Sequence, residues 1–342
     1  MPARPATPLR IGILGCANIA RQFCAAVKPG RFADIVAVAS RSPANAAAFA
    51  AEYGIARHHG SYEALLADRS VDAIYIPLPN NLHAQWAIAA ARAGKHVLCE
   101  KPLALDRAEA EAMFATTRAN GVMLLEAFPY YFQPQTRDMV ALLQGGAIGA
   151  VRTVQASFGF TVQNPATNIR MRPDLGGGAL LDAGSYPLSL IRLAMGCAPA
   201  QVQAHAQWAN TGVDISVMAT LFYADGRSAQ LSCAMNTANH RRAIIMGTQG
   251  TIEAEYINHP SAQVPSSLRI RRGIANTIAF EEIHSAIGNG FAFCAEAFAK
   301  VVREGDVAAI ERAAQASIDN AATLDALARS ARSGKPADLG LD

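Results

Sequence analysis

The first third of the chain alternates short apolar runs with stretches of helical pattern, and few folds accept that rhythm. Leu9–Leu14, residues 35–39, Ala73–Ile76, residues 97–99 and residues 122–126 are short and apolar. Such runs suit strands buried on both faces, because a half-exposed strand would alternate polar with apolar residues. Between them lie helix-forming stretches, among them Pro43–Tyr53 closed by Gly54, Tyr62–Leu66, and residues 84–93 closed by Gly94. Parallel strands need crossovers of this length, so the pattern predicts an α/β fold with a doubly wound parallel sheet. The residues just past the strand ends then matter most, because open parallel sheets hold ligands beyond the carboxyl ends of their strands.

After the first strand comes Gly15-Cys16-Ala17-Asn18-Ile19-Ala20, which opens a helix through about Val27. The spacing G-x-A-x-x-A is a variant of the dinucleotide fingerprint G-x-G-x-x-G/A. Gly15 permits the tight turn, Ala20 allows close helix–strand packing, and the helix start supplies amide donors for a pyrophosphate. Ala17 puts a methyl group where glycine usually gives the phosphates room. Alone the motif is weak, since small residues after a strand are common. The next strand strengthens it by ending in Ser40-Arg41-Ser42, where an acid would bind the 2′-hydroxyl of NAD. No acid stands there, and Ser40 and Arg41 bring donors and a positive charge suited to a 2′-phosphate. The expectation is an NADP site, set against the plainer view of Arg41 as an exposed loop arginine. Pro77 and Pro79 hold the end of the strand Ala73–Ile76 extended. Asn80 and His83 are placed to contact a nicotinamide ribose or carboxamide, and His83 equally to cap the following helix.

The strand at residues 97–99 ends in Glu100-Lys101-Pro102. Glu100 and Lys101 are expected to face a ligand rather than bulk water, and the bond before Pro102 is where a cis peptide costs least. Thirty residues are Lys or Arg, yet only Lys28, Lys95, Lys101, Lys300 and Lys335 are lysine. An amine in a crevice can handle protons, whereas a guanidinium effectively cannot. Without its context Lys101 reads as a solvated strand-end lysine. Asp106-Arg107-Ala108-Glu109 then has the spacing of a capping box, for a helix running to Asn120-Gly121. Near Ala127 the pattern changes, and a domain boundary there separates residues 1–126 from 127–342.

The second part begins with a helix at residues 135–143, stopped by Gly145-Gly146. Longer, alternating strands follow at residues 151–158, Gln201–Trp208, 215–223, 228–235, 242–246 and 251–256, with hairpin turns at 224–227 and 247–250. This reads as a mostly antiparallel sheet, followed by helices at residues 291–303 and 307–330. Between the first two strands, Arg170-Met171-Arg172-Pro173-Asp174-Leu175 runs into Gly176-Gly177-Gly178 and then Ala179-Leu180-Leu181-Asp182-Ala183-Gly184-Ser185-Tyr186-Pro187. Successive glycines allow close approach of another group. Asp182 and Tyr186 stand four apart, on one face of a helix, although Pro187 fits only the first turn of a helix starting near Ser185, or a kink. A phenol becomes a useful proton donor or acceptor beside a cation, and Lys101 is such a cation if the two domains share one crevice. Alone, Tyr186 reads as a half-buried packing residue and Asp182 as a cap.

Bulk properties remove other classes. At 342 residues the chain is long enough for two domains, and a net charge of +3 is too small to point to nucleic acid. Arg241-Arg242 and the cluster of Arg269, Arg271 and Arg272 read as solvated faces. The apolar stretch at residues 73–91 is broken by Pro77, Pro79, Asn80, Asn81 and His83, so no membrane span is expected. Cys16, Cys24, Cys99, Cys197, Cys233 and Cys294 show no CxxC spacing and read as small core residues, with no zinc or redox site. Met1 to Leu9 lacks the apolar core of a signal peptide, and a reducing cytoplasm is the expected compartment.

Gly15 through Ala20, Glu100-Lys101-Pro102, and Gly176 through Tyr186, in this order and spacing, resemble the Gfo/Idh/MocA oxidoreductases over essentially the whole chain. The resemblance implies an N-terminal Rossmann domain followed by an α/β domain with a large open, mainly antiparallel sheet. It implies NADP as cofactor and hydride transfer between nicotinamide and a carbohydrate-like alcohol or carbonyl. Lys101 matches the lysine implied to touch the nicotinamide ribose and the reacting oxygen, and Asp182 the substrate-binding acid; the expectation from the chemistry of the residues is that Tyr186 exchanges the hydroxyl proton, with Lys101 depressing the phenol pKa. Many members carry histidine where Tyr186 stands and an acid where Ser189 stands. Tyrosine there is similar to the subgroup of NADP-dependent D-xylose dehydrogenases, glucose–fructose oxidoreductases and dimeric dihydrodiol dehydrogenases, and unlike the inositol dehydrogenases. Glu126-Ala127-Phe128 resembles the xylose and dihydrodiol enzymes too, whereas Pro129-Tyr130-Tyr131-Phe132-Gln133 diverges from their arginine- and histidine-containing pattern. Dimers through the open sheet are common in the family. A homodimer or dimer-based oligomer is therefore expected, acting on a small carbohydrate-like substrate, with neither nucleic acid nor membrane as partner. Two other readings stay open: a sugar–sugar oxidoreductase that keeps its NADP bound, and a sensor that kept the fold but lost catalysis.

Overall fold

The computed structural model describes residues 7–27 and 32–340, so Lys28 and most of the stretch from Met1 to Leu9 lie outside the described residues. Two compact units are present. The first takes in the described part of Met1–Ala104, with Ala108–Pro129 and Asn289–Gln315; the second takes in Leu105–Arg107, Tyr130–Gly288 and the described part of Ala316–Asp342. A single cut after residue 126 does not express this, because Asn289–Gln315 pack with the N-terminal unit. There Phe291 meets Phe23 edge-on at 6.0 Å, and Glu311 pairs with Arg118 at 2.5 Å.

The first unit is built on β1 (Leu9–Leu14), β2 (Ala33–Ala39), β3 (Arg57–His59), β4 (Ala73–Ile76), β5 (His96–Glu100) and β6 (Leu124–Ala127). All neighbours are parallel and the order is β3-β2-β1-β4-β5-β6. Helices α1 (Asn18–Ala26), α2 (Pro43–Tyr53), α3 (Tyr62–Leu66), α4 (His83–Arg92) and α5 (Arg107–Ala119) alternate with the strands. Ile11, Ile13, Ile74, Ile76, Val97 and Leu98 are wholly buried, which is why these strands read as unbroken apolar runs. β3 carries no such signal; its Arg57-His58-His59 forms a largely exposed edge. The winding reverses between β1 and β4, so Gly15 and Pro77 lie at the topological switch point, where sheets of this order bind nucleotides.

The second unit holds α6 (Pro134–Gln144), β7 (Val151–Thr161), α7 (Ser185–Met195), β8 (Gln201–Trp208), β9 (Asp214–Phe222), β10 (Ser228–Ala234), β11 (Asn236–Gly247), β12 (Gly250–Glu255), β13 (Ser267–Arg272), β14 (Glu281–Ile283) and β15 (Ala337–Asp338). Helix α8 (Gly290–Glu304) belongs to the first unit, and α9 (Val307–Ser333) passes from the first to the second. The nine strands run β14-β13-β12-β11-β7-β10-β9-β8-β15. Only the β7–β10 pair is parallel. One sheet face buries Val154, Phe158, Leu231, Cys233, Ile245 and Ile252, with α7 packed on β7, β10 and β11. The other presents Gln155, Gln203, His205, Thr220 and Gln230 around Met218, which is 70% exposed. Among the described residues no helix is long and apolar enough to cross a membrane.

Candidate active site

At the switch point, Gly15 has φ +116°, and a Cβ there would lie 2.9 Å from Leu78 Cδ2, so the turn needs glycine. Ala17, at the start of α1, makes no side-chain cap, and the first turn carries no acid. The leading amides of α1 are thus left for an anion. Cys16 Sγ reaches Asn45 O at 3.7 Å, and burial raises its thiol pKa. Ser40 Oγ accepts from Ser42 N–H at 3.2 Å, and Ser42 Oγ from Asn45 N–H at 3.3 Å, which fixes the bend into α2. Arg41 is exposed beside the Tyr62 hydroxyl, where burial raises the phenol pKa and Arg41 opposes the rise. An uncapped helix start, two serines, an arginine and no acid form a donor set that fits a 2′-phosphorylated dinucleotide.

At the ends of β4 and β5 the chemistry changes. Pro77 is buried and Pro79 extended, leading into a short turn at Asn80–Leu82. Tyr75 stacks on Phe23 with ring centres 3.9 Å apart, and its hydroxyl donates to Glu100 Oε1 at 2.6 Å. Glu100 is buried, so in place of the expected ligand-facing position its carboxylate ties β5 to β4. Lys101 follows, half-buried, and its bond to Pro102 is cis. His83 does not cap the helix it begins. It is fully buried, with Nδ1 2.8 Å from Pro102 O and Nε2 2.9 Å from Leu78 O, so it links the loop after β4 to the turn after Lys101. Burial lowers the His83 pKa against the pull of the two carbonyls, and a neutral ring donates to only one of them.

The second unit carries the other expected residues. A π-helical turn, Leu180–Gly184, holds Asp182 and leads directly into α7, whose first turn contains Tyr186 and Pro187. Proline has no N–H to continue an α-helical ladder, and the widened turn precedes it. The glycines ahead of this turn are sterically required. Gly178 has φ +118°, and a Cβ there would collide with the Asp214 carboxylate, which accepts from Leu180 N–H at 2.6 Å. Gly178→Ala is therefore expected to destabilise the protein by about 2 kcal/mol or more. Chemical denaturation checks this; an unchanged midpoint counts against it.

The Asp182 carboxylate is held in place by Arg170, whose Nε donates to Oδ2 at 2.6 Å. Arg170 is a site residue that sequence reasoning quoted without a role. Tyr186 is 6% exposed. Its ring lies 5.4 Å from that of Phe158 and 6.0 Å from that of Tyr130, and its hydroxyl accepts from Asn258 Nδ2 at 3.1 Å. The divergent segment forms the supporting wall. Tyr130 and Ser189 share a hydroxyl–hydroxyl hydrogen bond of 2.6 Å, and Gln133 Nε2 donates to Asn258 O at 2.6 Å and to Gly288 O at 2.8 Å. Arg241 corrects the solvated-face reading of its doublet. Its guanidinium sits 3.9 Å from the Phe158 ring centre and 5.0 Å from that of Tyr186, while Arg242 faces the open side of the sheet. Adjacent strand residues point to opposite faces, so the two arginines part.

Residues 9–128 match an oxidoreductase family with an NAD-binding Rossmann fold, and residues 136–253 match the GFO/IDH/MocA C-terminal domain. The chain is 36% identical to D-xylose 1-dehydrogenase (NADP(+)) 2 of Haloferax volcanii, over 97% of this chain and 100% of the relative. It is 35% identical to trans-1,2-dihydrobenzene-1,2-diol dehydrogenase of Danio rerio, over 72% of this chain and 74% of the relative. A 3-ketoreductase from Actinomadura kijaniata, solved in complex with NADP and TDP-benzene, is similar with a TM-score of 0.82 and 33% identity, covering 95% of this chain and 98% of that one. An aldose–aldose oxidoreductase from Caulobacter crescentus, complexed with glycerol, gives 0.84 and 27%, covering 97% and 100%. With both units matched and full-length relatives above 30% identity, the chain belongs to the Gfo/Idh/MocA oxidoreductase family.

Proposed function

We propose that this protein is an NADP-dependent oxidoreductase that moves a hydride between nicotinamide and a hydroxyl or carbonyl carbon of a sugar or cyclic diol. The observation that carries the reading is the Tyr186 phenol, buried among aromatic rings and fixed by the Asn258 amide. A positioned phenol of this kind suits proton exchange with a substrate oxygen. NADP, when bound, supplies the hydride acceptor or donor. The leading amides of α1 hold its pyrophosphate, and Ser40 and Arg41 its 2′-phosphate. Lys101 serves the nicotinamide ribose and the reacting oxygen, Asp182 orients the substrate with Arg170 fixing its carboxylate, and Tyr186 exchanges the hydroxyl proton. The NADP-named xylose dehydrogenase relative and the NADP complex of the ketoreductase support the cofactor assignment.

A steady-state scan of aldoses and cyclic diols with NADP, read by nicotinamide absorbance, tests the reading. Turnover with at least one class is expected; NADP bound without turnover across the panel favours a sensor instead. A second reading has hydride passing between two sugars on a permanently held cofactor. The likeness to an aldose–aldose oxidoreductase favours it, and nicotinamide retained through purification would support it.

The open sheet face supports a homodimer, since Met218 stands 70% exposed there beside a half-buried Ile244. Met218→Asp is expected to halve the mass read by light scattering. A wild type that already runs as one chain removes the dimer.

A further inference from the structure

The π-helical turn that carries Asp182 and leads into Tyr186 is seated on the sheet at both ends. At its start, Asp214, the first residue of β9, accepts from Leu180 N–H at 2.6 Å through Oδ2, while Oδ1 fills the space where a Cβ on Gly178 would stand. At its end, a Cβ on Gly184 would lie 3.0 Å from Cys233 Sγ of β10. Between the two seats, the backbone and one side chain close a ring. Gly178 N–H donates to Arg170 O at 2.9 Å, Asp182 N–H to Gly178 O at 3.2 Å, and Arg170 Nε back to Asp182 Oδ2 at 2.6 Å.

Gly178 takes part in two of those bonds, and Asp214 is the side chain that meets it from another strand. A shift of the backbone between Gly178 and Leu180 therefore moves the Asp182 carboxylate and, through the turn, the first residues of α7. Burial raises the Asp214 pKa, and the Leu180 amide opposes the rise. A carboxylate whose pKa rises on folding weakens the fold while it is ionised, so its charge is no gain in stability. What Asp214 brings is a short bond to one amide, at the start of the turn that carries Asp182.

We propose that Asp214 is a positioning residue: by holding Leu180 and Gly178 it sets where Asp182 and Tyr186 stand for the transfer step. The inference rests on the roles proposed above for those two residues. Asp214→Leu keeps the bulk and removes the acceptor; Asp214→Asn keeps an oxygen for the Leu180 amide and removes the charge. Val202→Ala is the control for stability alone. Val202 is wholly buried in β8, six positions from Trp208, the residue paired with Asp214. That is about 20 Å along the strand. Each variant is assayed below its own melting temperature, with NADP and the best substrate of the scan above, and hydrogen exchange is followed at residues 178–186.

Asp214→Leu is expected to lower kcat by about 10- to 100-fold, the cost of reacting groups displaced by about 1 Å. The KM for NADP should stay within about threefold of wild type. Asp214→Asn should return kcat to within about fivefold of wild type, because its amide oxygen accepts the same N–H. Val202→Ala should leave kcat level despite a lower melting temperature. Exchange at residues 178–186 should speed in Asp214→Leu and in neither of the others. Should Asp214→Leu fail to fold, Asp214→Ser replaces it, since a hydroxyl one bond shorter does not reach the Leu180 amide. An Asp214→Leu kcat within about threefold of wild type overturns the proposal. An equal loss in Val202→Ala does so too, by making the effect one of stability alone. An Asp214→Asn as slow as Asp214→Leu also overturns it, because the acceptor is then not what matters. Absence of turnover in the wild type counts against hydride transfer, and exchange then decides the present point alone. Faster exchange in Asp214→Leu confined to residues 178–186 sustains it, and exchange at the wild-type rate overturns it.

Discussion

Tyr186→Phe is expected to lower kcat by about 10²- to 10⁴-fold, the range over which a positioned proton donor or acceptor acts. NADP affinity should stay near the wild-type value, because Tyr186 belongs to the second unit and the residues assigned to the pyrophosphate and 2′-phosphate to the first. Phenylalanine fills the space between Phe158 and Tyr130 as tyrosine does, so the fold should survive. What is lost is one hydroxyl and the acceptor of Asn258 Nδ2, a cost of about 1–3 kcal/mol in stability if nothing replaces it. Lys101→Met should lose turnover in parallel. If the two residues serve one step, the double variant loses less than the product of the single effects. Losses that multiply in full would assign them to separate steps. A Tyr186→Phe rate within about threefold of wild type would take the phenol out of proton transfer altogether.

What could be read from the sequence follows from how far each residue's partners lie along the chain. The parallel sheet was legible because strands such as Ala73–Ile76 are buried throughout, and burial on both faces forces an unbroken apolar run. β3 was not, since an edge strand of Arg57-His58-His59 has no core to face. The spacing of Asp182 and Tyr186 and the run of glycines ahead of them are local features, legible without the fold. Asn258 was missed because its bond to Tyr186 spans 72 positions, and no local period joins them. Glu100 was placed toward a ligand by its strand-end position, but the Tyr75 hydroxyl, 25 positions earlier, turns it inward. Arg241 was hidden in a basic doublet that only strand alternation resolves, one arginine toward aromatic rings and the other toward the open face.

If Arg41 holds the 2′-phosphate as proposed, the choice between the two nicotinamide cofactors turns on a single exposed side chain. Arg41→Ala is expected to lower kcat/KM with NADP by about 10- to 100-fold, because a hydrogen bond between a guanidinium and a phosphate contributes about 1.5–3 kcal/mol. With NAD, which carries no 2′-phosphate, the same variant should change little. Arg41 is exposed, so its attraction for the phosphate is screened by salt. Raising the ionic strength should therefore lower kcat/KM with NADP by more than it lowers kcat/KM with NAD. Ser40 is already engaged by the Ser42 amide and cannot replace the lost charge. The nearby Tyr62 hydroxyl is neutral, and burial, which raises its pKa, keeps it so. Equal losses with both cofactors would mean that Arg41 supports the loop rather than reading the phosphate. No loss with either would place the discrimination at a residue other than Arg41.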